Sequence, residues 1–487
     1  MFPKTTRTTI TRLFVSTTIG LLLLRIGVLI LRSPLPPDLP FGTRELHTIG
    51  IAIRYWSRWT VENSNNPWYL PALLQSGDNT GILPTEFPLL NLILAPSFML
   101  GIENGRIIAY LMIILMFFGL SWINYKAWKG VTVANRDISP AMLILPIFSI
   151  AASVSGKIMP DYFAMILGTL AVGLFLSREK IFFPILLGST ALLVKPTSII
   201  VFFLLVLRQK HLREVFSTRF ALRNMWVGIP MIVCLTYYTL GIGYIKNYQD
   251  ISDLFWMTLD TNFITSLSSF LSQPMQLITF IGYHWFFILG VPLYVCICIY
   301  LLIKEKRKVF SALWLLVFLQ VAIITMLNVQ HPFIHYYYYV GISPLCAIIF
   351  YQFLLRVRVK MVLFLFMGLL ATHLLVLSHF DLRGYYNVMP MVFTKHFKNK
   401  FDYMTYKRNA TYSECALLKK RNPNFPWGRG EVFRSTYSRM ADIGVCFGER
   451  QNSTEAEYGF YKFNDSIPSE CIVVDQEKHF KLVRCDT

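Results

Sequence analysis

The sequence is poor in charged residues and in cysteine. Asp, Glu, Lys and Arg make up only 15% of its 487 residues, whereas soluble domains carry about 25%. The 8 cysteines are too few for a small disulfide-scaffold protein. Hydrophobic residues make up 54% of the chain, which excludes a disordered protein and an ordinary cytosolic enzyme. The composition is that of a polytopic membrane protein.

Hydrophobic runs predict about eleven transmembrane helices, because about 20 apolar residues are needed to cross a bilayer. Lys195 and Pro196 interrupt one long run, and we interpret it as two spans because only then does the charge of the loops alternate consistently. The predicted fold class is therefore an all-α polytopic membrane protein. The predicted spans lie at about 11–31, 104–126, 139–156, 161–177, 181–194, 196–207, 225–243, 276–303, 309–328, 335–355 and 361–379.

Acidic residues are scarcer than basic ones, 27 against 46, and the formal net charge is +19. The basic residues concentrate before residue 13 and at 126–138, 178–180, 208–223, 304–308 and 356–360. The positive-inside rule assigns these segments to the cytoplasm. Most of the excess positive charge therefore reflects the orientation of the chain in the membrane, and no nucleic-acid partner is expected. The N-terminus is then cytoplasmic and the C-terminus outside. We expect a bacterial inner membrane, with the endoplasmic reticulum as the alternative.

The chain is predicted to have two domains. Residues 1–379 form the transmembrane module, whose first outer loop covers about 32–103, and residues 380–487 form a small outer C-terminal domain. This tail is polar, and its cysteines lie on the side of the membrane where disulfides persist. We expect two disulfides, with the pairing open, among Cys415, Cys446, Cys471 and Cys485.

The first outer loop contains two segments predicted to lie in the membrane interface. The segment 43–56 has apolar residues at three- and four-residue steps, which predicts an amphipathic helix with one apolar stripe. The segment 84–96 is apolar but short and interrupted by proline. The stripe consists of Leu46, Ile49, Ile53 and Trp56.

Five short motifs fall on the predicted outer face. They are Arg44-Glu45-x-His47-Thr48-x3-Ala52-x-Arg54, Glu86-Phe87-Pro88-Leu89, Pro160-Asp161-Tyr162-Phe163, Leu193-Val194-Lys195-Pro196 and His335-Tyr336-Tyr337-x6-Pro344. In type and order they resemble the motifs of GT-C membrane glycosyltransferases, the class that includes protein mannosyltransferases and lipid A aminoarabinose transferases. Where that class commonly has an Asp at the start of the first loop helix, this chain has Glu45 and His47.

The resemblance implies an enzyme that moves a hexose or pentose from a polyprenyl-phosphate donor to an acceptor hydroxyl, usually with inversion. A carboxylate or imidazole must accept the hydroxyl proton, and cations must hold the departing phosphate. A divalent cation, Mg²⁺, Mn²⁺ or Zn²⁺, is left open, with Glu86, Asp161 and His335 as candidate ligands. The candidates for catalysis are Glu45, His47, Glu86 and Asp161, and those for donor binding are Arg44, Arg54, Lys157, Lys195, His331, His335 and Tyr337.

Each assignment has a structural alternative. Glu45 and Asp161 also suit helix starts, and Lys195 also suits a cation that extends towards the interface. Arg25, inside the first predicted span, either pairs with an acid or extends likewise. The aromatic-rich segment 244–275 is interpreted as an interfacial helix, or alternatively as a loop over a lipid-sugar site.

Two other functions are compatible with the sequence. One is a transporter or channel, and the other is a polysaccharide polymerase or ligase that uses polyprenyl-linked sugars. For the glycosyltransferase that the resemblance implies, the expected partners are the lipid-linked sugar donor, a glycan, lipid or protein acceptor, and membrane lipids.

Overall fold

The structure is a computed structural model. It describes residues 4–32, 42–60, 69–72, 82, 85–133, 136–178, 180–209, 212–248, 336–355, 368, 433–435, 458–462, 466–467, 469, 471–476 and 480–485. The chain divides into two compact units. The bundle unit comprises Met1–Arg32, Tyr110–Leu240 and Met257–Arg383, and the loop unit comprises Ser33–Ala109, Gly241–Trp256 and Gly384–Thr487.

The described residues are mostly helical. In chain order, the α-helices are α1 (Lys4–Arg32), α2 (Gly42–Thr60), α3 (Leu89–Leu94), α4 (Ile102–Ala127), α5 (Ser149–Val154), α6 (Pro160–Arg178), α7 (Phe182–Val194), α8 (Leu212–Val215), α9 (Thr218–Asn224), α10 (Gly228–Thr236), α11 (Ile242–Lys246) and α12 (Ser343–Leu354). Further 3-10 helices cover Ala95–Leu100, Ser139–Ile147, Pro196–Arg208, Met225–Val227 and Tyr336–Ile342, and a π-helical turn covers Tyr237–Gly241.

Four helical segments are long and apolar enough to cross a membrane. They are Arg12–Leu31, Asn104–Ala127, Pro160–Arg178 and Thr218–Lys246, and they confirm an apolar helix at four of the predicted spans. The predicted spans 276–303, 309–328 and 361–379 lie outside the described residues, apart from Gly368, so the number eleven stays a prediction.

Large apolar side chains lie on the surface of these helices. Leu115 is 74% exposed, and Ile232 and Leu240 are 65% and 71% exposed. A protein dissolved in water rarely leaves so much apolar surface uncovered on neighbouring helices, whereas lipid would cover it at no cost. The exposure pattern is therefore compatible with a membrane protein.

The predicted span 139–156 is wrong as a single helix. A 3-10 helix covers Ser139–Ile147, Phe148 adopts an extended conformation, and α5 begins only at Ser149. Pro146 lies inside the 3-10 helix and has no N–H to donate, so it cannot continue a regular α-helical ladder. The apolar run is long enough for a span, but proline divides it.

The long run around Lys195 forms two antiparallel segments, as expected. Lys195 is extended, with φ −155° and ψ 109°, because it precedes Pro196. Gly188 of α7 lies against the ring of Phe202 in the following 3-10 helix. Residues 14 positions apart in an uninterrupted helix would be about 20 Å apart, so the chain must turn back between them.

The bundle unit has two distinct ends. At one end, Trp128 donates a hydrogen bond from Nε1 to the carbonyl of Thr169 at 3.0 Å, and the rings of Phe175 and Trp226 are 5.0 Å apart. The predicted cytoplasmic loops 126–138, 178–180 and 208–223 adjoin these contacts. Toward the other end, Cys234 Sγ lies 3.5 Å from the Leu192 carbonyl, and Gly156 packs against Leu29. The orientation of the bundle unit in a membrane stays a prediction.

In the loop unit, α2 packs on α3 and on the 3-10 helix Ala95–Leu100. Asn91 Nδ2 donates to the Thr48 carbonyl at 2.8 Å. Ile49 and Ile53 of the predicted apolar stripe are buried, but Ile51 and Tyr55 are buried as well and form a cluster with Ala95. Burial therefore extends beyond the single stripe that the sequence pattern predicted, because α3 and the helix after it cover a second face.

The C-terminal region contains a four-stranded β-sheet that the sequence pattern did not predict. Cys471 is disulfide-bonded, and its Cα pairs with that of Cys485. Cys415 and Cys446 lie outside the described residues, so the two expected disulfides stay a prediction. After the short strand pair β1 (Thr132–Val133) and β2 (Arg136–Asp137), the strands of this sheet are β3 (Phe433–Ser435), β4 (Tyr458–Lys462), β5 (Cys471–Gln476) and β6 (Phe480–Cys485). They lie side by side in the order β3-β4-β6-β5.

Candidate functional site

The structure brings together two of the predicted site residues, Asp161 and Lys195. Lys195 Nζ lies 3.5 Å from Asp161 Oδ1, and the two side chains are only 5% and 0% exposed. Asp161 lies in the first turn of α6, and Lys195 follows the last residue of α7. Because α6 and α7 pack as an antiparallel pair, the start of one helix and the end of the other meet.

Backbone geometry fixes this pair from both sides. The Lys195 N–H donates to the Ala191 carbonyl and closes α7, while the Lys195 carbonyl accepts from Ser198 N–H and opens the next 3-10 helix. On the other side, Pro160 occupies the first position of α6, where its missing N–H costs nothing. The positive end of the helix dipole also favours the Asp161 carboxylate.

Two further cations are buried in the bundle unit. Lys157 lies in the turn between α5 and α6 and is 1% exposed. Arg25 of α1 is equally buried, and its Nη2 donates to the Ala152 carbonyl at 3.0 Å. Arg25 therefore packs inside the unit instead of extending to a surface. Among the described buried residues of this unit, the charged ones are Arg25, Lys157, Lys195 and Asp161.

The candidates Glu45 and Glu86 lie in the loop unit. Glu45, in the first turn of α2, is fully buried. Glu86 is 7% exposed, and its Oε2 accepts a hydrogen bond from Thr85 Oγ1 at 3.0 Å. Arg58, which the sequence analysis did not select, is also buried here and donates from Nη1 to the Leu70 carbonyl.

The remaining candidates are placed only in part. Arg44, His47 and Arg54 lie on α2, and Arg54 is half-buried. Tyr337 lies in the 3-10 helix Tyr336–Ile342, which packs beside the segment that follows Lys195, since Gly341 lies against Thr197 and Ile200. His331 and His335 lie outside the described residues.

A metal centre gains no support from the part of the chain that the structure describes. Within it, no group of three or more His, Cys, Asp and Glu side chains is close enough to hold an ion. Asp161 already faces an ammonium at 3.5 Å, and that positive charge opposes a divalent cation at the same carboxylate. We assign no chemical step to a metal at this site.

The loop unit contains a cluster of tyrosines that links two residues of the predicted aromatic-rich segment 244–275 to Tyr69, which sequence reasoning did not select. The hydroxyl of Tyr69 lies 3.0 Å from that of Tyr244, which in turn lies 3.3 Å from that of Tyr248. The hydrogen bond with Tyr244, together with electrostatic repulsion from it, raises the pKa of Tyr248. Tyr244 and Tyr248 are four residues apart, as suits one helix face, but no sequence signal links them to Tyr69.

Comparison of the chain with protein-family models, with curated proteins and with solved structures finds no match.

Proposed function

We propose that the chain is a membrane glycosyltransferase that moves a sugar from a polyprenyl-phosphate donor to an acceptor hydroxyl, with inversion at the anomeric carbon. The observation that carries the proposal is the buried Asp161–Lys195 pair at the end of the bundle unit that the loop charges assign to the outer face. Charged side chains inside a membrane bundle are costly, and they are usually retained for function.

In this proposal, Lys195 neutralises the charge that grows on the departing phosphate. The bond between the anomeric carbon and the phosphate oxygen breaks, and its electron pair leaves with the phosphate. Lysine binds phosphate as a point charge, and the attraction between the two charges is stronger in a buried, low-dielectric setting. Asp161 positions the ammonium, and Lys157 and Arg25 add positive potential to the same unit.

The acceptor oxygen then forms the new bond to the anomeric carbon, and its proton passes to a carboxylate. Glu45 and Glu86 are the candidates for this proton acceptor. The support is their place in motifs that resemble those of GT-C enzymes and their burial, which keeps bulk water from the carboxylates.

The finer topology belongs to the same proposal. We infer eleven spans with a cytoplasmic N-terminus and an outer C-terminal domain closed by two disulfides, one of which joins Cys471 to Cys485. Mass spectrometry of unreduced peptides would identify that cross-link. A Cys471 peptide linked to Cys415 or Cys446 would contradict the pairing.

A transporter is the second candidate function, because a buried acid–lysine pair between helices also suits ion-coupled transport. Purified protein in liposomes separates the two. Transferase activity releases polyprenyl phosphate from the donor and adds a sugar to an acceptor, whereas a transporter moves solute without breaking a bond. Solute uptake with an intact donor pool would contradict the transferase.

A further inference from the structure

The tyrosine cluster consists of Tyr69, Tyr244 and Tyr248. It forms an exposed aromatic surface next to a buried apolar core. Their exposed fractions are 47%, 43% and 38%. Beneath them, Leu70, Ala72, Ile82 and Ile245 form a buried apolar cluster, so residues next to two of the tyrosines are held in a core.

Hydrogen bonds hold the cluster in one arrangement. Tyr55 Oη donates to the carbonyl of Tyr69 at 3.0 Å and fixes the backbone there. The rings of Tyr244 and Tyr248 are 5.3 Å apart at an angle of 59°. The three rings are thus positioned before any ligand arrives, which lowers the entropy lost on binding.

The protons of the three hydroxyls restrict the class of ligand. Three hydroxyls carry three protons, and the two bonds within the cluster use two of them. No more than one proton can be donated to a ligand, while each oxygen has lone pairs that accept. An anion needs several donors, so the cluster is poorly suited to phosphate or carboxylate. A neutral ligand rich in hydroxyl groups matches it.

We propose that the tyrosine cluster is a binding subsite for a neutral pyranose unit of a glycan. The apolar face of a pyranose ring lies on an aromatic ring, and its hydroxyl groups donate to the tyrosine oxygens. That the bound glycan is the acceptor rests on the proposed transferase function; the binding itself does not.

The experiment measures binding without a donor. The full chain is placed in lipid nanodiscs, because maltoside detergents carry pyranose rings that would compete. Maltotriose, cellotriose and mannotriose are titrated at millimolar concentrations, followed by saturation-transfer NMR and calorimetry. We expect at least one trisaccharide to bind, and inorganic phosphate not to displace it.

Variants locate the site. Tyr244→Ala removes the central ring and should weaken binding about tenfold. Tyr248→Phe keeps the ring and removes one terminal hydroxyl, so the loss should be smaller, about threefold. Trp122→Ala, an equally exposed aromatic of α4, is the control and should bind as the wild type does. Thermal unfolding of each variant shows whether it is folded.

Three outcomes would overturn the subsite: no trisaccharide binds, phosphate displaces the sugar, or folded Tyr244→Ala and Tyr248→Phe proteins bind with wild-type affinity. Failure of the proposed transferase function would give a different experimental result. A chain that binds trisaccharide through the cluster but never consumes donor would keep the subsite and remove the enzyme.

Discussion

The bundle unit and the loop unit differ in the balance of the charges that they bury. Among the described buried residues, the bundle unit contains the cations Arg25, Lys157 and Lys195 with a single acid, Asp161. The loop unit contains Glu45 and Glu86 with two arginines, and it also exposes tyrosine hydroxyls. The bundle unit thus offers buried positive charge, which suits an anionic group such as phosphate, whereas the loop unit offers buried carboxylates and exposed hydroxyl groups.

The largest effect should come from removing the proton acceptor. If Glu45 or Glu86 accepts the proton, Glu45→Gln or Glu86→Gln should lower donor consumption by a factor of about 10²–10⁴, since that is the usual contribution of general base catalysis. Glu214→Gln, on α8 in a predicted cytoplasmic loop, is the control. Wild-type turnover in both glutamine variants would remove the loop-unit carboxylates from the mechanism.

The next effect concerns the ion pair of the bundle unit. Lys195→Met leaves the buried Asp161 carboxylate without this ammonium, and unfolding should become easier by about 3–5 kcal/mol. Adding Asp161→Asn to the same protein should restore most of the stability, because the buried negative charge is then gone. Thermal unfolding followed by tryptophan fluorescence measures both. Equal stability of wild type and Lys195→Met would mean that the pair contributes nothing to folding.

The smallest expected effects are changes in the free energy of unfolding when either of two glycines of α4 is replaced by alanine. A Cβ on Gly105 would lie 2.7 Å from the Cα of Phe98, and backbone atoms cannot move away cheaply. Gly105→Ala should therefore destabilise the chain by about 1–3 kcal/mol. Gly119 has no atom within 4 Å of such a Cβ, so Gly119→Ala should stabilise α4 by about 0.5–1 kcal/mol. Stability changes of the same sign at both sites would contradict the close contact between Gly105 and the 3-10 helix Ala95–Leu100.

The positions of several helices and of one chain reversal could be predicted from the sequence. Apolar length predicted the helices at 11–31, 104–126, 161–177 and 225–243, and the alternating charge of the loops predicted that the run divides at Lys195-Pro196. Both signals are properties of the linear sequence and need no knowledge of which helices are neighbours. The prediction for 139–156 was wrong because it counted apolar residues and gave no weight to Pro146.

Contacts between distant residues could not be predicted. Asp161 and Lys195 were both candidates, but their contact depends on the packing of α6 against α7. Tyr69 and Tyr244 are 175 positions apart, and tyrosine in apolar surroundings is common in membrane proteins. Only the folded chain shows that their hydroxyls meet.

The most direct test of the central claim is donor consumption by the Lys195→Met and Asp161→Asn double variant in liposomes. The double variant should be folded, since both charges of the Asp161–Lys195 pair are removed together. Our account predicts that it no longer releases polyprenyl phosphate from the lipid-linked sugar. A folded double variant that consumes donor at the wild-type rate would show that the pair serves the fold alone, and would contradict the proposed role of Lys195.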